Sequence, residues 1–138
     1  MDTAPVVVGI DASETARAAL TWAADYAAKF NLPLEAVIAW DKGSYYGYPA
    51  VPRDIGAEKR AQTALTDTIR EVLGEDADVT PRLMQGKPAP VLLKAAKSAS
   101  LLVVGTRGHG AFAGMLLGSV SQHCVQHAPC PVVVIPPN

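Results

Sequence analysis

The sequence predicts an α/β domain built on a parallel sheet with helices on both faces, a three-layer α/β/α arrangement, and three observations lead there. Five short, β-branched apolar runs recur at residues 6–10, 34–40, 79–84, 101–105 and 132–135. The segments between them carry apolar residues at helical spacing. Runs and helical segments alternate strictly, as β-α-β-α-β-α-β-α-β, the order that makes the strands of one sheet parallel and covers both its faces. The runs read as nearly continuous hydrophobic stretches, as a sheet buried on two sides requires. Each crossover is expected to be right-handed.

The elements follow in order. After the first run, Ser13 stands where an N-cap belongs, and Ala16, Ala19, Leu20, Ala23 and Ala27 form the stripe of a first helix. A second stripe, Ala57, Ala61, Leu65, Ile69 and Val72, ends at Gly74, a natural C-terminal stop. A third helix is expected over about 89–99, with prolines in its first turn, where a missing N–H costs little. The fourth is expected to start near Ser119 and end before Pro129. The connection 41–56, rich in Tyr45, Tyr46, Tyr48, Pro49 and Pro52, is long enough to act either as a lid or as a plain surface loop.

Composition limits the function classes. The chain has 138 residues, 49% hydrophobic and 18% charged, which fits one domain over 1–138 with a real core and excludes disorder as the main state. No apolar run reaches the roughly 20 residues of a membrane span. The first residues lack the basic and apolar regions of a signal peptide, so the expectation is cytoplasmic. Cys124 and Cys130 form no CxxC pair and read as small buried or half-buried hydrophobes. The net charge of −1 points to neither nucleic acid nor a membrane surface, but its distribution is uneven. Residues 1–78 carry −6 and residues 79–138 carry +5, with no carboxylate after Asp78. A half without acids leans toward an anionic ligand.

Ligands of such sheets bind beyond the carboxyl ends of the strands, which directs attention to the loops after Ile10, Trp40 and Gly105. The stretch Gly105-Thr106-Arg107-Gly108-His109-Gly110 leaves a strand, and Gly118-Ser119-Val120-Ser121 opens a helix. Glycines let consecutive N–H groups approach one anion, and a helix start adds free N–H groups and a partial positive charge. Arg107 offers a guanidinium fork for phosphate oxygens. Three near-matches fail. Ala111-Phe112 stand where a P-loop needs Lys-Ser/Thr. Gly108-x-Gly110-x-x-Ala113 has no later acid to hold a dinucleotide's ribose, and Gly118-Ser119-Val120-Ser121-Gln122 is no GxSxG elbow.

Gly105-x2-Gly108-x9-Gly118-Ser119, following Leu101-Leu102-Val103-Val104, resembles the nucleotide-binding signature of the universal stress protein family, G-2x-G-9x-G-S. The resemblance covers nearly the whole chain. It includes Val7-Val8-Gly9-Ile10-Asp11-Ala12-Ser13, Gly86-x-Pro88, Leu117-Gly118-Ser119-Val120-Ser121 and Cys130-Pro131-Val132-Val133-Val134-Ile135. Ala12, where the family often has glycine, and Ser100, where it often has aspartate, depart from the pattern. The resemblance implies a Rossmann-like fold of the adenine nucleotide alpha hydrolase-like kind, with a five-stranded parallel sheet in order 3-2-1-4-5 and ATP at its carboxyl edge. By motif position it places Gly9, Asp11, Ser13, Ala39, Gly105, Thr106, Arg107, Gly108, His109, Gly110, Gly118, Ser119, Val120 and Ser121 around the nucleotide. Asp11 would lie near the adenosine and Ala39 would offer backbone groups to adenine. From its position alone, Asp11 could hold a ribose hydroxyl or a magnesium ion, or serve as an Asx turn.

The resemblance further implies a homodimer joined through Val132–Ile135, with Pro136 and Pro137 ending the ladder. His123 and His127 are four apart, a metal-compatible spacing, but no third ligand accompanies them and a capping or surface role is the simpler reading. Trp22 and Trp40 read as core or edge packing. The functional expectation is an ATP-binding regulatory module of stress response, with a slow ATPase or phosphotransferase and a cyclic AMP-binding module as alternatives. No general base, nucleophile–His pair or P-loop lysine supports efficient chemistry.

Overall fold

A computed structural model describes residues 3–41, 56–106 and 117–137. The strands are β1 (Val6–Gly9), β2 (Leu34–Trp40), β3 (Thr80–Gln85), β4 (Leu101–Gly105) and β5 (Val132–Ile135). The helices between them are α1 (Glu14–Phe30), α2 (Ala57–Leu73), α3 (Pro88–Ala96) and α4 (Ser119–His127). The five strands form one parallel sheet in the order β3-β2-β1-β4-β5.

The register places Val6, Val7 and Val8 of β1 beside Leu101, Leu102 and Val103 of β4. Alternate residues therefore feed two separate cores. Val6, Val8, Ala36, Ile38 and Val103 pack under α1 and α2, whereas Val7, Val37, Leu102 and Val104 pack under α3 and α4. Burying one such Val or Leu side chain is worth about 1.5–3 kcal/mol, and β1 and β4 at the centre of the sheet carry no polar residue on either face.

All five residues of the α1 stripe are buried, and Ser13 caps the helix by accepting from the Ala16 N–H at 3.1 Å. The α2 stripe lies along the same core, and Gly74 ends that helix at φ +89°, where a side chain would be strained. α3 is shorter than the spacing implies. After Ala96 the chain tightens into two i→i−3 bonds, Lys97 N to Lys94 O and Ala99 N to Ala96 O. β3 begins and ends one residue later than the apolar run. Trp22 corrects the packing expectation, because it is 36% exposed and stacks on Tyr26 rather than entering the core. Trp40 is half-buried at the end of β2.

Candidate functional site

Three chain segments meet at the carboxyl ends of β1, β2 and β4. The first is the turn after β1. Its Asp11 carboxylate is exposed, and one oxygen accepts the Ser13 N–H at 2.9 Å and the Ser13 hydroxyl at 2.5 Å. The Asx turn of the sequence reading is therefore realised, and Oδ2 makes no hydrogen bond among the described residues. That free oxygen fits either a ribose hydroxyl or a magnesium ion. Ala12 holds φ +69°, the left-handed region that alanine enters at a cost of about 1–2 kcal/mol. The turn needs this geometry, and here an alanine supplies it.

The second segment is the end of β2. The Ile10 N–H donates to Val37 O at 2.8 Å, and the Gly86 N–H donates to Trp40 O at 2.7 Å. Alternation along the strand then turns the N–H and C=O of Ala39 toward β1, which has already ended at Gly9. Among the described residues no backbone group bonds to either. Ala39 thus presents one donor and one acceptor at the sheet edge, the pair that a purine base edge matches.

The third segment joins β4, β5 and α4 through Thr106, which is buried. Its N–H donates to Ile135 O at 2.8 Å, and its hydroxyl donates to the same oxygen. Its carbonyl accepts the Gly118 N–H at 2.6 Å and the Ser121 hydroxyl at 2.8 Å. The side chains of Thr106 and Ser121 are therefore committed inside the protein. They position the start of α4 rather than face a ligand. Ser119 is exposed and Val120 half-buried at that start.

The first helical bond of α4 runs from Gln122 N to Gly118 O. The N–H groups of Ser119, Val120 and Ser121 precede it and have no intrahelical acceptor. The N-cap, Gly118, provides no side-chain hydrogen bond, and the first turn contains no acid. Among the described residues, three donors and the positive end of the helix dipole have no partner there, an arrangement suited to an anion.

Two glycines assigned to the site act through space. A Cβ on Gly105 would lie 2.8 Å from the backbone carbon of Thr15, so glycine lets the first turn of α1 close onto the end of β4. That contact brings the Asp11 turn beside the α4 approach. A Cβ on Gly9 would meet Leu92 Cδ1 at 2.9 Å, so Gly9 serves the packing of α3. Thr15 was not legible as part of the site; the glycine at 105 is its only trace. Arg107, Gly108, His109 and Gly110 lie outside the described residues, as does the tyrosine-rich stretch 42–55.

The rings of His123 and His127 stand 4.6 Å apart, and the described residues contain no cluster of three or more metal ligands. Cys124 is buried and free, and burial, reinforced by Cys130, pushes its thiol up to about 11. Burial also raises the Cys130 thiol, partly offset by its hydrogen bond with the Leu102 backbone. Neither has the lowered pKa that makes a thiolate nucleophile or ligand.

The family model of the Universal stress protein family matches residues 3–136. A universal stress protein of Mycolicibacterium smegmatis is 37% identical over 137 residues, which are 97% of this chain and 46% of that protein. The chain spans less than half the length of the curated relatives it matches. Among solved structures, a universal stress protein from Lactobacillus plantarum superposes with a TM-score of 0.79 at 26% identity, covering 98% of this chain and 99% of that one. A universal stress protein in complex with cAMP gives 0.72 at 26% identity, covering 98% of each chain. One from Archaeoglobus fulgidus in complex with dAMP gives 0.64 at 25%, covering 98% and 99%.

Proposed function

This chain belongs to the universal stress protein family, and on that premise we propose that it is one domain over 1–138 that binds an adenine nucleotide, ATP foremost, as a regulatory module. The observation that carries the reading is the uncapped start of α4, fixed to the end of β4 through Thr106 O. An oligophosphate tail is the ligand group that uses three converging N–H donors and a helix dipole. Ala39 takes the adenine through its free N–H and C=O, and the open oxygen of Asp11 takes a ribose hydroxyl or a magnesium ion beside the phosphates. Arg107, Gly108, His109 and Gly110 complete the phosphate loop by motif position.

The structures holding cAMP and dAMP support the adenine part of this reading. The cAMP complex also favours a second reading, in which a cyclic monophosphate occupies the same helix start. A cytoplasmic place goes with a nucleotide ligand; no helix among the described residues is long and apolar enough to cross a membrane.

The module acts as a homodimer joined through β5. Thr106 N and Leu102 N donate to the carbonyls of Ile135 and Pro131, so alternation leaves the N–H and C=O of Val132 and Val134 on the open edge. Calorimetric titration with ATP, AMP and cAMP tests the ligand. Saturable binding with ATP ahead of AMP supports the oligophosphate assignment, and cAMP ahead of ATP moves the conclusion to the second reading. Absence of heat or competition with all three, on folded protein freed of bound small molecules, overturns both.

A further inference from the structure

On the outer side of α1, Trp22 and Tyr26 stack at 5.2 Å and 17°, and Tyr26 meets Phe30 at 4.6 Å. Trp22 is 36% and Phe30 57% exposed. The direction this ladder faces can be fixed. Arg17 pairs with Glu71 of α2 at 2.8 Å, so its side of α1 faces α2. At 100° per residue, Trp22, Tyr26 and Phe30 stand roughly 140–180° round the helix from Arg17. They therefore face away from α2, toward β5, which α1 also touches. On that side Val133 and Ile135 of β5 are half-buried, and no described helix lies beyond α1.

We infer that this aromatic ladder closes over the paired β5 strands in a symmetric dimer, so that Trp22 and Tyr26 of one copy pack against those of a second copy of this chain. The inference rests on the β5 pairing proposed above and specifies what else the interface must contain. Antiparallel pairing of β5 with itself about a twofold axis normal to the sheet puts both α1 helices on one face of a continuous sheet. With strands about 4.8 Å apart and α1 over β1 and β4, each helix axis lies about 10 Å from the twofold axis, and the two helices about 19 Å apart. Two helices of roughly 11 Å diameter would leave a gap of about 8 Å above Val133 and Ile135. Large planar side chains fill such a gap and alanines do not.

Area argues the same way. A four-residue edge alone covers on the order of a few hundred Å2, well below the roughly 1,200 Å2 of a stable interface. Aromatic side chains add about 150–250 Å2 each.

The test uses the full chain with Trp40→Phe, which leaves Trp22 as its one tryptophan of two. Sedimentation equilibrium and acrylamide quenching are followed over the same concentration range. The inference expects dimer formation accompanied by a blue shift and at least a threefold loss of quenching. It also expects Trp22→Gln, with an unchanged circular dichroism spectrum, to weaken the dimer tenfold or more. A dimer in which Trp22 stays as quenchable as in the monomer overturns the aromatic closure and leaves β5 pairing standing. A chain that is monomeric at every concentration overturns both.

Discussion

Helices α1 and α4 both begin at the carboxyl edge of the sheet, yet they are finished in opposite ways. α1 has a serine N-cap, an acid in its first turn and six buried residues holding it to the sheet. α4 has a glycine N-cap with no side-chain bond, no first-turn acid and two buried residues. The chain satisfies the dipole of the first helix with its own side chains and leaves that of the fourth unspent. Since the two starts are neighbours through the Thr15–Gly105 contact, the difference is local chemistry rather than position. A helix that stabilises the fold closes its own terminus, and the helix proposed above to receive an anion has no side chain closing its own.

The largest expected effect comes from giving α4 the acid that α1 already has. Ser119→Glu places a carboxylate roughly 5 Å from a bound phosphate, which at an effective dielectric of 20 costs about 3 kcal/mol, or ~100-fold in affinity. Calorimetry with ATP measures it; unchanged affinity in the folded variant would break the comparison.

Next is the anchor of α4. Because burial raises the Cys124 thiol from 9.0 to about 11, the folded state resists its ionisation. The stabilising contribution is complete below pH 9 and is lost as pH rises through about 11, a decline of roughly 2–3 kcal/mol. Urea melts from pH 7 to 11 should show this decline, and Cys124→Ala should flatten it from a lower starting stability. Equal slopes in the two proteins would assign the alkaline loss elsewhere.

Opening α1 is a smaller perturbation. Ser13→Ala removes the N-cap and should lower stability by about 1 kcal/mol in denaturant melts. It also removes the hydroxyl bond to Asp11 while the residue-13 N–H keeps holding that carboxylate, so nucleotide affinity should change only a few-fold, far less than with Ser119→Glu. The smallest effect is at Ala12. Ala12→Gly relieves the left-handed strain while adding unfolded-state entropy, for a net gain of up to about 1 kcal/mol. A loss of stability would show that the alanine methyl makes contacts worth more than the strain.

Much of the fold could be read in advance because its signals are local. The α1 stripe, the Ser13 cap, the Gly74 stop and the limits of β2, β4 and β5 each follow from a few neighbouring residues. The sheet order came through the family resemblance, and the structure bears it out. The site was less legible. Thr106 and Ser121 sit within the family motif, but the bonds of Thr106 to Ile135, 29 residues on, depend on strand pairing. Those of Thr106 O to Gly118 and Ser121 depend on how α4 returns to the end of β4, so neither set could be read from spacing. Trp22 reads as core or edge packing because its place beside the alanine stripe does not distinguish those from an exposed stack on Tyr26. Ala12 was visible only as a departure from pattern; its φ shows why glycine is common there.

The placement of Thr106 has one further consequence. Its N–H holds the last residue of the outermost strand, and its C=O holds Gly118 and Ser121 at the start of α4. Those two regions therefore meet at one residue, whose two flanking peptide planes pivot on a single Cα, so a shift of one bears on the other. Thermodynamic reciprocity then applies: whatever factor an occupant of the helix start imposes on association at the outer strand, association returns to the occupant.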